Sequence, residues 1–505
     1  MAANDGTPRY QLGPRSTRGL IAGWRSGQIV CVAAGLIVAV GALRSIGGGG
    51  GALVALMATC AGIGAATWPL AGRSPEQWAP TVASFAARAV AEGRYRPWQT
   101  TGSRRGPIAT LSLFQLPDPV VNANKPSEAR TRRAEAARDG QASILRVADD
   151  VNQPFYIVGD ARNQPSPAGI AVIADGKSGT WSAVIPVGGT GFALLDEAQR
   201  ADRIAEWSGA LASMATEGRG LHRLQWLACT YPSSLDGSFS GGGFGRAGAD
   251  YGRLLQEAGP HLWTHEVLLT VTIRQTGLRR GAKDEAAALL RAQLGSVAER
   301  LQAAGLSAGA PLSPLELVGR VRRSFDLKPF DGVVAWPWPV GIEDGWATLR
   351  TDTTCHATYW IAEWPRAAVA GGFLLPALLA SGVRNVIGVT MAPLPPLTAV
   401  RRAERDRTEG TADAEMRERH GFAVTARARR EQDSRQRREA ELAEGHTAYR
   451  YSGYVTVTES DPVALEEACR RMEQSAVVAQ LELRRLYGSQ EEAFCATLPT
   501  GRGCR

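Results

Sequence analysis

Four groups of residues in this chain are of types and spacings that could do chemistry. Gly176-Lys177-Ser178 has the ending of a phosphate loop, in which backbone N–H groups wrap a phosphate and the lysine reaches its oxygens. That loop needs a glycine five residues before the second glycine, and Ala171 stands there. His261 and His265, with Glu266 beside the second, are spaced i, i+4, which on a helix would aim both imidazoles at one metal ion. Gly259-Pro260 before them and the apolar run Val267 to Ile273 after them indicate a loop entering a strand, and no third ligand follows. Gly243, Gly245 and Gly248 make one GxGxxG, but the strand before it ends at Tyr231, and Glu266 opens the next strand where a ribose-binding acid should close it. Cys355 and His356 are neighbours, and neighbouring strand residues face opposite ways. No nucleophile, base and oxyanion donor come together. The expectation is a chain that is not an enzyme, with no catalytic residue, no cofactor and no metal site.

The elements that would hold these residues are legible in the pattern. Gly169 to Asp175 and Thr180 to Pro186 are β-rich runs joined by Gly176 to Gly179, a hairpin. Asp196 with Gln199 forms a capping box before a helix whose apolar stripe is Ile204, Trp207, Leu211 and Met214. Leu221 to Tyr231 and His265 to Ile273 are strands around a Gly/Ser loop, Ser233 to Gly248, and Asp284 to Ala304 is a helix. Ser313, Pro314 and Glu316 supply the N-cap, first-turn proline and capping-box partner of a helix through Arg323. His356 to Trp364 and Asn385 to Met391 are strands flanking a short helix, Phe373 to Ala380. Tyr449 to Thr458, Asp461 to Gln480 and Leu481 to Tyr487 read as strand, helix, strand, which is half of a ferredoxin-like unit.

Two uncharged stretches dominate the N-terminal region, Gly27 to Leu43 and Ala52 to Gly72. As helices they are about 25 and 31 Å long, near the hydrocarbon thickness of a bilayer. The short connection through Arg44 and the glycines 47 to 51, expected as a flexible turn, makes them an antiparallel hairpin. Arg9, Arg15, Arg18 and Arg25 precede it, and Arg73, Arg88, Arg94, Arg96, Arg104 and Arg105 follow it. The positive-inside rule then puts both termini in the cytoplasm. Trp78, Phe85, Tyr95 and Trp98 suggest a helix lying on the inner leaflet.

The expected class is therefore α+β: a transmembrane helical hairpin, then cytoplasmic mixed α/β domains, the last ferredoxin-like, with a long charged helical arm. The expected boundaries are a basic N-terminus at 1–26, the hairpin at 27–72, a juxtamembrane region at 73–118 and a linker at 119–168. An α+β domain at 169–397, the arm at 398–445 and a βαβ unit with tail at 446–505 complete the chain. The arm has twelve Arg and eleven Asp/Glu between Thr398 and Glu444, so its charges can pair along exposed helices.

Composition sets the outer limits. The chain has 505 residues, 44% of them hydrophobic and 21% charged, which excludes global disorder. Mean hydropathy of −0.15 excludes a many-pass transporter. Seven scattered cysteines without a CxxC give neither a zinc set nor a disulfide framework. The net charge of +8 is not gathered into one block, so no direct sequence-specific nucleic-acid binding is expected.

The hairpin together with Gly191 to Asp196 (GFALLD), Thr264 to Leu269 (THEVLL), His356 to Trp360 (HATYW), Ser452 to Thr458 (SGYVTVT) and Leu483 to Gly488 (LRRLYG) resembles an actinobacterial membrane-protein family of conjugative-element, type IV secretion-like loci. The order of segments resembles a PrgI-type hairpin joined to the non-motor region of VirB-class conjugation ATPases. No Walker motif is present. The resemblance implies a non-catalytic subunit of the bacterial inner membrane that anchors a separate VirB-class ATPase. Other expected partners are the lipid bilayer, other secretion-channel subunits and a further copy of the chain. The alternative is an EccE-like subunit of a type VII system. On either reading the docking residues expected are Phe494 and Leu498, because they lie beyond the last strand.

Overall fold

In the computed structural model, the described residues are 26–67, 75–93, 95–97, 107–117, 169–189, 191–217, 220–233, 253, 262–274, 282–327, 338–365, 367–419, 426–444 and 446–503. The chain before residue 26, the span end Gly72, the linker 119–168, the GxGxxG glycines and His261 lie outside them.

Helices α1 (Ser26–Ser45) and α2 (Gly48–Thr67) form the apolar hairpin. Only Ile46 and Gly47 separate them. The glycine run expected as a turn is instead the first turn of α2, because in apolar surroundings a helix satisfies backbone groups that an open loop leaves bare. Gly47, at φ 59°, makes the reversal in a conformation that side-chain-bearing residues resist. Helix α3 (Pro75–Glu92) follows, then the short edge strand β1 (Tyr95–Pro97) and β2 (Leu111–Pro117).

The first half of the remaining chain runs β3 (Gly169–Asp175), β4 (Thr180–Gly188), α4 (Glu197–Glu217), β5 (Leu221–Pro232), β6 (Trp263–Arg274), α5 (Ala282–Ala303), β7 (Ser307–Ala308) and α6 (Pro314–Arg323). Both expected capping boxes form: Gln199 N–H donates to Asp196, and Ser313 with Glu316 closes both hydrogen bonds at the start of α6. The second half runs β8 (Gly341–Asp344), β9 (Leu349–Arg350), β10 (Cys355–Glu363), α7 (Leu375–Leu378), β11 (Asn385–Pro393), α8 (Pro396–Arg419), α9 (Ala426–Ala443), β12 (Tyr449–Glu459), α10 (Pro462–Val478), β13 (Glu482–Arg485) and α11 (Gln490–Phe494).

All the strands share one sheet, in the order β1-β8-β9-β10-β12-β11-β5-β6-β4-β3-β2, with β13 added to β10 and β7 to β4. Every pairing is antiparallel. The positions 168, 397 and 445 therefore do not divide the sheet: strands from all three flanking regions pair within it. Outward from the β5–β11 ladder, the order is β6, β4, β3, β2 on one side and β12, β10, β9, β8 on the other. Each half repeats strand-helix-strand-strand-helix-strand, as β4-α4-β5-β6-α5-β7 and as β10-α7-β11-β12-α10-β13. In each, the last strand lies outside the first, so β12 and β13 are both antiparallel to β10 and run parallel with it between them. The halves thus meet about a pseudo-two-fold axis at β5–β11.

Alternation of side chains along the strands makes two buried faces. Trp181, Ala183, Ile185, Leu224 and Val271 point towards α4 and α5, and Ala357, Tyr359, Val455 and Val457 towards α7 and α10. Val184, Leu227 and Leu268 point the other way, against α6, α11 and the chain after it. That second face also carries Ser182, Gln225, Thr272, Thr358, Thr390 and Thr456, all at most 1% exposed.

Candidate functional site

The helices α1 and α2 meet along small residues. A Cβ on Gly35 would lie 2.9 Å from Ala58 O, and one on Gly62 would lie 2.9 Å from Cys31 O, so both glycines permit the close approach. Ala39, Ala42, Ala55 and Ala66 are buried along the same seam, and Gln28 Nε2 donates to Ala66 O at 2.7 Å. The large side chains point away from it: Ile37 is 72% exposed, and Val30, Leu36, Leu53 and Leu56 are exposed with it. A core helix pair would bury these residues, whereas a lipid-facing pair exposes them. Gly27, Leu43 and Ala52, the expected span ends, lie on these helices, which are long and apolar enough to cross a bilayer.

The aromatic residues of α3, expected on the inner leaflet, pack against the sheet domain. Trp78 packs 5.7 Å from both Trp346 and Tyr487, and Phe85 packs edge-on at 5.2 Å from Trp346. Arg88 donates to Gly488 O, and β1 then pairs with β8. The helix after the hairpin is therefore docked onto the sheet domain, with its aromatic side chains burying area in the contact.

The expected docking residues are corrected by burial. Phe494 is 2% and Leu498 1% exposed, inside the core with Phe325, Leu317 and Leu227. The chain after β13 does have a core of its own. It crosses the polar face of the sheet from β10 to β3, and its backbone satisfies the strand side chains on the way. Gln225 donates to Ala496 O at 2.7 Å and accepts from Gly501 N at 2.8 Å, and Thr390 donates to Arg502 O at 2.6 Å. Gly388 leaves room for this crossing, since a Cβ there would lie 2.9 Å from Ala496 O.

The Gly176-Lys177-Ser178 turn anchors the far end of that crossing. Arg502 forms a two-pronged pair with the buried carboxylate of Asp175, at 2.8 and 2.7 Å, and also donates to Pro107 O. Lys177 lies 3.8 Å from Glu492. Burial alone would raise the Asp175 pKa, but hydrogen bonds and charge from Arg502, with Ser178 and the Lys177 N–H, outweigh it and hold the carboxyl below its usual range.

His265 and Glu266 sit on β6, as the loop-into-strand reading expected. The His265 imidazole is 3.0 Å from Thr230, and Glu266 pairs with Arg320 at 2.7 Å. Among the described residues no group of three or more potential metal ligands occurs. Cys355 and His356 do face opposite sides of β10. His356 is fully buried, held by the hydroxyls of Thr354 and Thr458 at 2.9 and 3.0 Å, and burial pushes its pKa down to about 3. Burial thus favours the neutral imidazole, which packs among these threonines.

A cleft at the β5–β11 junction was not anticipated. Arg320 and Arg323 of α6, Arg384 before β11, Glu266 and Tyr231 line it. Arg323 donates to Tyr231 Oη at 2.7 Å and lies over the same ring at 4.6 Å. Arg320 and Arg323 look in sequence like ordinary cations at a helix C-terminus, and Arg384 like an isolated loop charge; only the fold brings them together.

Against this geometry, a family model described as "Putative type VII ESX secretion system translocon, EccE" matches residues 271–361. The matched segment runs from the end of β6 through α5, α6, β8 and β9 into β10, and so bridges the two halves of the sheet. No curated protein matches the chain. The match favours a membrane subunit of a secretion system and supports the type VII alternative; nothing in it supports the type IV, PrgI or VirB resemblance.

Proposed function

We propose that this chain is a membrane-anchored, non-enzymatic subunit of a type VII secretion translocon. The observation that carries the reading is the EccE match on the segment joining both halves of a sheet domain that is itself docked to a two-helix hairpin. The strand order of each half is compatible with a ferredoxin-like unit, and the reading takes the continuous sheet as the surface for protein contacts. The arginines flanking the hairpin support a cytoplasmic location for both termini and the sheet domain by the positive-inside rule. There the domain contacts other translocon subunits, and α3 transmits its position to the hairpin. Catalysis is left to a separate motor protein.

The test is purification of the full-length chain from its native membrane in mild detergent, with mass spectrometry of what comes with it. Recovery of an FtsK-type ATPase and further membrane subunits is expected. Recovery of a VirB-class ATPase instead, or of the chain by itself, overturns the reading.

A further inference from the structure

The pseudo-two-fold axis exposes an asymmetry on the α6 face. On one side of it, at the end of β11 and the start of β5, the chain fills the space with its own acceptors. Arg223 donates to Gly501 O, Thr390 to Arg502 O and Tyr454 to Gly503 O, at 3.3, 2.6 and 3.0 Å. On the other side, at the end of β5 and the start of β11, the donors of the junction face the cleft lined by Arg320, Arg323, Arg384 and Tyr231. Arg384 is only 7% exposed. One of its nitrogens, Nη2, donates to Arg323 O and to Asp326 O, and among the described residues no carboxylate lies within 4.0 Å of its guanidinium. Among the described residues Glu266 is the only carboxylate lining the cleft, and it is already shared by Arg320 at 2.7 Å and Arg323 at 3.9 Å.

Three guanidinium groups and one carboxylate line this partly buried space, and Asp326 and Glu459 act on Arg384 from beyond its wall. A cleft whose own lining is mostly of one sign draws in the opposite charge. Planar guanidinium forks match tetrahedral oxyanions, to which they donate in pairs. We propose that this cleft binds a free small dianion of the phosphate class, held between Arg320, Arg323 and Arg384 at the junction of the two halves. Because Arg384 belongs to the second half and α6 to the first, the bound dianion ties the halves together across the axis.

The experiment is calorimetric titration of the full-length protein in detergent with inorganic phosphate, against sodium chloride at matched ionic strength. Saturable binding at one site is expected for phosphate and none for chloride. Arg384→Gln removes the buried donor and should weaken binding roughly ten- to a hundredfold, the worth of a charge-assisted hydrogen bond. Arg384 also caps α6, so Arg323→Gln, at a side chain 40% exposed, is the second variant, with circular dichroism checking that it is folded. It should weaken binding by a similar factor. Glu266→Gln removes the competing charge and should tighten binding severalfold, a change of sign that a purely structural role for these residues would not produce. Absence of saturable phosphate binding, equal affinity in Arg323→Gln, or weaker binding in Glu266→Gln overturns the proposal.

Discussion

Deleting the chain after Gly488 removes part of the core, and the structure sets the size of the effect. Phe494 and Leu498 are essentially inaccessible to solvent. Truncating a buried Phe to Ala costs about 3–5 kcal/mol and a buried Leu about 2–5 kcal/mol. Those two losses already approach the ~5–15 kcal/mol that separates a folded domain from its unfolded chain. The deletion also strips partners from the Ile108 N–H, the Thr358 N–H and Gln225, each about 1–3 kcal/mol when left buried and unpaired. The deleted protein should therefore lose its fixed tertiary structure. A graded version is Phe494→Ala, which at roughly 2 °C per kcal/mol should lower the unfolding midpoint by about 6–10 °C. Val477→Ala, at a position 72% exposed, should leave it unchanged. The assay is thermal unfolding of full-length protein in detergent, followed by near-ultraviolet circular dichroism. A deleted chain with the wild-type spectrum and midpoint would refute the assignment of this segment to the core.

Leucine at Gly35 or Gly62 should separate α1 from α2, seen as loss of cross-linking between cysteines placed along the seam, while leucine at Gly41, which has open space around it, should not. Asp175→Asn should destabilise the protein at neutral pH by about 1–3 kcal/mol through its broken pair with Arg502. Because the folded carboxyl titrates below its unfolded value, its contribution is fully present above about pH 4. It fades as pH falls through the lower folded value, so wild type and variant should converge in acid unfolding curves. Gly49→Cys, in the first turn of α2 and free of neighbours, should react with a membrane-impermeant maleimide on intact cells; labelling only after lysis would reverse the topology. Trp346→Ala should release α3 from the sheet domain, read as a rise in proteolysis between α3 and β2 with the sheet still folded.

The elements were legible where a local rule sets them. The hairpin at Gly176 to Gly179, the capping boxes at Asp196 and Ser313, and the two charged helices of the arm follow from turn chemistry, side-chain caps and i,i+4 pairing, all of which act within a few residues. The bilayer-length helices were equally plain, since length and the lack of charge are properties of the segment alone. Their junction was misread because a run of glycines signals a turn in water, while apolar surroundings favour closing the backbone hydrogen bonds.

What sequence could not show depends on contacts between distant residues. Alternations such as Val455-Thr456-Val457-Thr458 read as strands with one wet face, yet the threonines are buried beneath the segment after β13. That segment looked like a loose end with two apolar residues to offer a partner, because nothing local reveals that Gln225 and Thr390 await its carbonyls. The arginines of the junction cleft lie on α6 and before β11, and a pairing of β5 with β11 was needed to bring them together. The sequence by itself determined the apolar helical hairpin and the order of the longer strands and helices from β3 onward. Only the tertiary structure decided that both halves form one sheet about a pseudo-two-fold axis and that the C-terminal segment is core. Strand pairing is a choice among long-range partners, made by burial and backbone hydrogen bonding over the whole domain rather than by any short stretch of it.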